Sequence, residues 1–159
     1  FIDYFLHNEV ALNGDGFKKS MYFHKDRSKK LKAGPIWDFD WALKYSPWIP
    51  NDLSGYFHTT DPCSQDVPIL FWWLRMNQDP VFVNAVKCRY QVMRAYALDT
   101  VRMFHYIDSM ANYLNQAQAR HYVRWPTLGT NVGTPENGPI PLTWAGEIER
   151  FKQFLKQNL

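Results

Sequence analysis

Along residues 1–12, FIDYFLHNEVAL, the apolar side chains Ile2, Phe5, Leu6 and Val10 recur at spacings of three and four, which predicts a helix with one buried face. Asn13-Gly14-Asp15-Gly16 then stops it. The run KSMYFHKD at 19–26 has a β-prone centre, and LKAGPIWDF at 31–39 is a second apolar run. With the turn-like KDRSKK between them, the pair predicts a β-hairpin with Asp15 and Asp38 near its two outer ends. From Ser46 to Pro68 the chain is rich in Pro, Asp, Ser, Gly and Thr, and reads as a long loop, either a functional lid or a surface excursion. Helical signals follow. Asp66-Val67-Pro68 reads as a cap with Pro in the first turn of ILFWWLRMN, Asp79-Pro80 opens VFVNAVKCRYQVMRAYAL, and a third helix is expected over 99–122. Residues 124–143, with four Pro and three Gly, predict a connector, and WAGEIERFKQFLKQNL closes as an amphipathic helix. No internal repeat is visible. The expected class is α+β, mostly α-helical, with a short hairpin near the N-terminus.

Composition narrows the picture. A chain of 159 residues with 46% hydrophobic and 17% aromatic residues can bury a real core as one domain, and is far too ring-rich for a disordered segment. Net charge is only +3 and the basic residues are scattered, apart from Lys29, Lys30 and Lys32 at the hairpin tip, so no nucleic-acid partner is expected. Cys63 and Cys88 lack the spacing of zinc or redox pairs and allow at most one disulfide. His7, His24, His58, His105 and His121 form no paired metal-ligand spacing. No run approaches the roughly 18 apolar residues of a membrane span. The chain opens on FIDYFL, without an initiator Met and already in helical phase, so it is expected to be a fragment of a longer protein.

The candidate chemistry lies in the first forty residues. Asp15, in a Gly-flanked turn before a strand, is placed to accept a proton from a hydroxyl or to contact a metal. Ser20 follows five residues later, and Asp38 and Asp40 stand at the end of the second apolar run. Hard oxygen ligands of this kind suit Mg²⁺, which neutralises phosphate charge in phosphoryl transfer. Blander roles compete. Asp15 can be a turn carboxylate, Asp38 can cap the following WALKY segment, and Asp40 can pair with Lys44 at i,i+4. Trp72 and Trp73 are expected in the core, whereas Trp37, Trp41 and Trp48 surround the acidic residues and either pack or line a pocket. The lysine cluster is a solvated tip or a lure for an acidic protein substrate.

The runs NEVALNGDGFKKSMYFHKD and KLKAGPIWDFDWALKY resemble the motifs of the CotH family, named for a spore coat protein with an atypical kinase fold. FWWLRMNQDPVFVNAVKCRYQVMR, RHYVRWPTLG and EIERFKQFLKQ are similar to its later helices, so the resemblance covers most of the chain. It implies a single-domain fragment over 1–159, the C-terminal part of a kinase-like domain, transferring phosphate from MgATP to Ser or Thr of a protein. In that resemblance Asp15 is the catalytic-loop Asp that orients or deprotonates the acceptor, and Asp38 is a metal ligand like the Asp of a kinase DFG segment. Kinases carry a Mg²⁺-binding Asn five residues after the catalytic Asp. Here that position is Ser20, and Asp40 is a candidate for the missing oxygen. No Gly-rich phosphate loop or Lys–Glu pair matching a nucleotide-binding lobe is visible, and Gly14-Asp15-Gly16 is better explained as a turn, so the nucleotide-binding lobe is expected upstream of Phe1. The alternative is a pseudokinase or surface-associated module holding a protein or glycan partner, and the family suggests a cell-surface setting.

Overall fold

The computed structural model describes residues 1–44, 46, 69–134 and 136–159. Most of the loop expected at 46–68 lies outside the described residues, and with it Trp48, His58, Cys63 and Asp66-Val67-Pro68.

Helix α1 spans Ile2–Ala11. It ends at Leu12, where φ of 51° turns the chain into the left-handed region and the Leu12 amide caps toward Asn8 and Glu9. A 3₁₀ turn, Gly14–Phe17, follows. The hairpin forms as predicted, with β1 (Phe23–His24) antiparallel to β2 (Lys32–Ala33) in the register Phe23 to Ala33 and His24 to Lys32. Its strands are shorter than the apolar runs suggested. One more bond, Gly34 N–H to Tyr22 O at 2.9 Å, extends the pairing, and then Pro35 has no N–H with which to continue it.

Helix α2 spans Phe71–Asn77 with Leu70 as its N-cap residue. Leu70 is extended, and its amide bonds to Phe17 O at 3.4 Å, an arrangement that delays the helix by two residues. Helix α3, Pro80–Ala95, starts as expected, with the Asp79 side chain accepting the Val81 amide and Pro at its first position. The single helix predicted over 99–122 is two: α4, Thr100–Tyr113, capped by Asp99, and α5, Asn115–Arg124. They divide at Leu114, a single turn residue across which the backbone ladder continues, its amide donating to Met110 O at 2.9 Å and the Gln118 amide to Leu114 O at 2.8 Å. The connector runs through three left-handed glycines, Gly129, Gly133 and Gly138. Helix α6, Trp144–Asn158, begins at Thr143, whose hydroxyl accepts the Gly146 amide.

Two apolar clusters hold these elements. In the first, Tyr4, Phe5 and Leu6 of α1 meet Phe17, Trp73, Val86 and Met93. Trp73 is completely buried, stacked on Tyr4 at 5.7 Å and edge-on to Phe17 at 5.5 Å. Trp72, expected beside it in the core, is exposed and meets the rings of Phe23 and Phe71, because neighbouring helical residues point about 100° apart. The second cluster joins Leu12 to Phe154 and Leu155 of α6, with Met103, Phe104 and Ile107 of α4 against it. The described chain is therefore mostly helical with one two-stranded hairpin, and among the described residues no helix is long and apolar enough to cross a membrane.

Candidate active site at the base of the hairpin

The turn that carries Asp15 is built on two polar residues of the buried face of α1. Asn8, 1% exposed, donates to Tyr4 O at 2.8 Å and accepts from Asn13 Nδ2 at 3.0 Å, so its amide is satisfied on both sides. Tyr4 donates its hydroxyl to Gly16 O at 2.8 Å. Burial raises the Tyr4 phenol to about 12, which keeps it a hydrogen-bond donor. Gly16 leaves room for the Asn8 side chain: a Cβ there would stand 2.0 Å from Asn8 Oδ1.

On this base the Asp15 carbonyl gathers three amides, those of Lys18, Lys19 and Ser20, at 3.2, 2.9 and 2.8 Å. The backbone thereby fixes how far Ser20 sits from Asp15. The Asp15 carboxylate is partly open to solvent, and Lys18, with its side chain only 3% exposed, brings Nζ to 3.9 Å of Asp15 Oδ1.

Asp38 arrives from the other arm of the hairpin. Its φ of 64° is left-handed, a conformation that non-glycine residues adopt at a cost of about 1–3 kcal/mol and that clusters at functional sites. Its Oδ2 accepts the Ser20 hydroxyl at 2.6 Å. The structure therefore brings together three of the four residues singled out in the sequence, in the order Asp15 carbonyl, Ser20 amide and hydroxyl, Asp38 carboxylate. The side chain that meets Asp38 directly is Ser20, not Asp15.

Asp40 stands apart. Its carbonyl accepts from Lys44 Nζ at 3.0 Å, so the i,i+4 pairing with Lys44 exists through the backbone, and its exposed carboxylate is outside the Ser20–Asp38 bond. The segment 40–44 is a turn and not a helix, which leaves Asp38 no helix to cap there. Beside the site, Tyr22 and Trp37 pair at 5.4 Å with both rings about half-exposed, and Trp41 is likewise exposed.

The donor set suits one hard cation. Mg²⁺, with bonds of about 2.0–2.1 Å, places neighbouring oxygens of its octahedron roughly 2.9 Å apart, and it commonly takes one or two protein oxygens while phosphates and water complete the shell. In the structure the two oxygens are 2.6 Å apart as a short hydrogen bond, with the Ser20 proton between Oγ and Asp38 Oδ2. Among the described residues no group of three or more His, Cys, Asp or Glu converges on a metal-sized space, so the protein side offers a partial shell only.

Tyr4, Asn8, Asn13 and Lys18 were not singled out in the sequence. The available signal was Asn8 itself, a polar residue four positions after Tyr4 and in phase with the apolar face of α1.

A family model described as CotH kinase protein matches residues 1–159, the whole chain. Comparison with curated proteins and with solved structures gives no match.

Proposed function

The chain belongs to the CotH kinase protein family, and from that premise we propose that it carries the acceptor and metal side of a phosphotransferase that moves phosphate from MgATP to a Ser or Thr hydroxyl of a protein. The observation that carries the reading is the linkage of Asp15, Ser20 and Asp38 at the base of the hairpin. In this reading the described helices and hairpin correspond to the C-terminal lobe of a kinase-like domain.

Each residue has a distinct task. Asp15, partly open to solvent on a turn locked by Tyr4 and Asn8, accepts the hydrogen bond of the acceptor hydroxyl and takes its proton as that oxygen bonds the γ-phosphorus, while the bond from phosphorus to the β,γ-bridging oxygen breaks and ADP leaves. Asp38 and Ser20 would hold Mg²⁺, Asp38 through its carboxylate and Ser20 through a hydroxyl lone pair with its proton turned from Asp38. When bound, Mg²⁺ offsets the charge of the phosphate oxygens. Lys18 restrains the Asp15 carboxylate from the buried side. Neither a Gly-rich phosphate loop nor a Lys–Glu pair matching a nucleotide-binding lobe is visible in the sequence, so Asp15, Ser20 and Asp38 take no part in holding the nucleoside in this reading.

A second reading, a non-catalytic module with the same fold, draws support from Ser20, since a hydroxyl replaces the Asn that kinases use at this spacing. Calorimetry of the intact protein separates the cases. The proposal expects Mg²⁺-dependent heat on adding ATP, lost in Asp38→Asn; absence of any heat, with no thermal shift, would sink it.

A further inference from the structure

Four residues after Asp40, Lys44 folds back and donates to the Asp40 carbonyl at 3.0 Å, and the same ammonium lies 3.7 Å from Glu136 Oε1. Glu136 is the centre of a part-buried polar cluster. Thr134 Oγ1 donates to its Oε1 at 2.9 Å, Arg150 Nη1 of α6 donates to its Oε2 at 2.9 Å, and Arg150 Nη2 reaches Asn137 O at 3.3 Å. The side chains of Lys44, Glu136 and Arg150 are 15%, 16% and 19% exposed, so water screens the cluster only in part. One residue earlier, Leu43 has a left-handed φ of 58°, donates its amide to Ala11 O at 2.8 Å and packs against the cluster of Leu12, Phe154 and Leu155.

Two non-glycine residues, Asp38 and Leu43, thus hold positive φ within six positions. Such conformations persist only where the surroundings over-determine them. Ser20 restrains the first end, and Leu43 with Lys44 restrains the second. We infer that Lys44 is a positioning residue, anchored by Glu136, which Arg150 holds in place, that ties the segment 38–44 to α6 and the connector and so fixes the Asp38 carboxylate opposite Ser20. This rests on the reading of Asp38 as a metal ligand for its functional meaning, but the clamp itself is a separate physical claim.

Hydrogen exchange on the intact protein, read peptide by peptide, tests it alongside Mg²⁺ titration in the presence of ATP. In Lys44→Ala and Glu136→Gln, amides of 38–44 are expected to exchange about tenfold faster while those of α1 and α3 are unchanged, and Lys44→Arg is expected to restore protection. The Mg²⁺ midpoint rises several-fold in the same two variants. If Lys44→Ala loses protection throughout, Lys44→Met, which keeps the apolar stem, decides the question. Unchanged exchange over 38–44 in the variants that fold overturns the inference. Local acceleration in a protein whose wild type shows no Mg²⁺ response upholds the clamp and overturns the metal reading instead.

Discussion

Ser20 Oγ donates to Asp38 Oδ2 at 2.6 Å, joining the two outer ends of the hairpin through one short hydrogen bond. Ser20 is buried and Asp38 is exposed, so the bond is charge-assisted on one side and wetted on the other. Ser20→Ala is expected to cost about 1 kcal/mol of stability in urea denaturation. The same variant should weaken the Mg²⁺ response in the presence of ATP by about tenfold, more than its stability loss alone would produce at saturating protein fold.

Gly16→Ala is expected to destabilise the protein by about 1–3 kcal/mol, because the added methyl collides with the Asn8 amide that holds the turn. The collision is specific to that pair. In an Asn8→Ala background the Gly16 substitution should cost much less, a non-additivity read from a double-mutant cycle of denaturation midpoints.

The Tyr4 phenol, pushed up by burial to about 12, is neutral in the folded state well above its ordinary value of 10.0. Its contribution to stability is complete below that ordinary value and is lost as pH rises through the folded one. Thermal melts should therefore fall between about pH 10 and 12, and Tyr4→Phe should flatten that fall while lowering stability near neutrality through loss of the bond to Gly16 O.

At the acid end one group held low is Glu136, another being Asp3 through its hydrogen bond from Arg89. Burial alone would raise the Glu136 carboxyl, but hydrogen bonds from Thr134 and Arg150 and the charges of Arg150 and Lys44 outweigh it and hold it below the ordinary value of 4.5. A lowered folded value means stability that is present above 4.5 and lost as pH falls through the folded one. Denaturation midpoints of the wild type should drop as pH falls below about 4.5, and Glu136→Gln should remove that part of the drop. Glu147, raised by burial, works in the opposite sense: its ionisation costs stability as pH rises, so Glu147→Gln should gain slightly near neutrality.

Much of this was legible from residue pattern. The spacing of Ile2, Phe5 and Leu6 located α1, Asp79-Pro80 located the start of α3, and the paired apolar runs around KDRSKK located the hairpin. Each is a local signal, with the partner or cap within a few residues. Boundaries set by distant contacts were not legible. Leu70 stays extended because its amide reaches Phe17, and nothing near Leu70 announces it. Trp72 and Trp73 look alike in sequence, and only the direction of α2 against Tyr4 decides which is buried. At the site, Asp15, Ser20 and Asp38 could be chosen by residue type and spacing, whereas the bond from Ser20 to Asp38 spans 18 positions and depends on the hairpin register. The Glu136–Lys44 contact crosses most of the chain, and no periodicity reports it.

The most direct test of the central claim is transfer of labelled γ-phosphate from MgATP to protein Ser or Thr by the intact protein, compared with Asp15→Asn and Asp38→Asn at equal folded concentration. The account predicts Mg²⁺-dependent incorporation that falls by at least about a hundredfold in either variant. Incorporation that persists at the wild-type rate in the Asp15→Asn, Asp38→Asn double variant would contradict it.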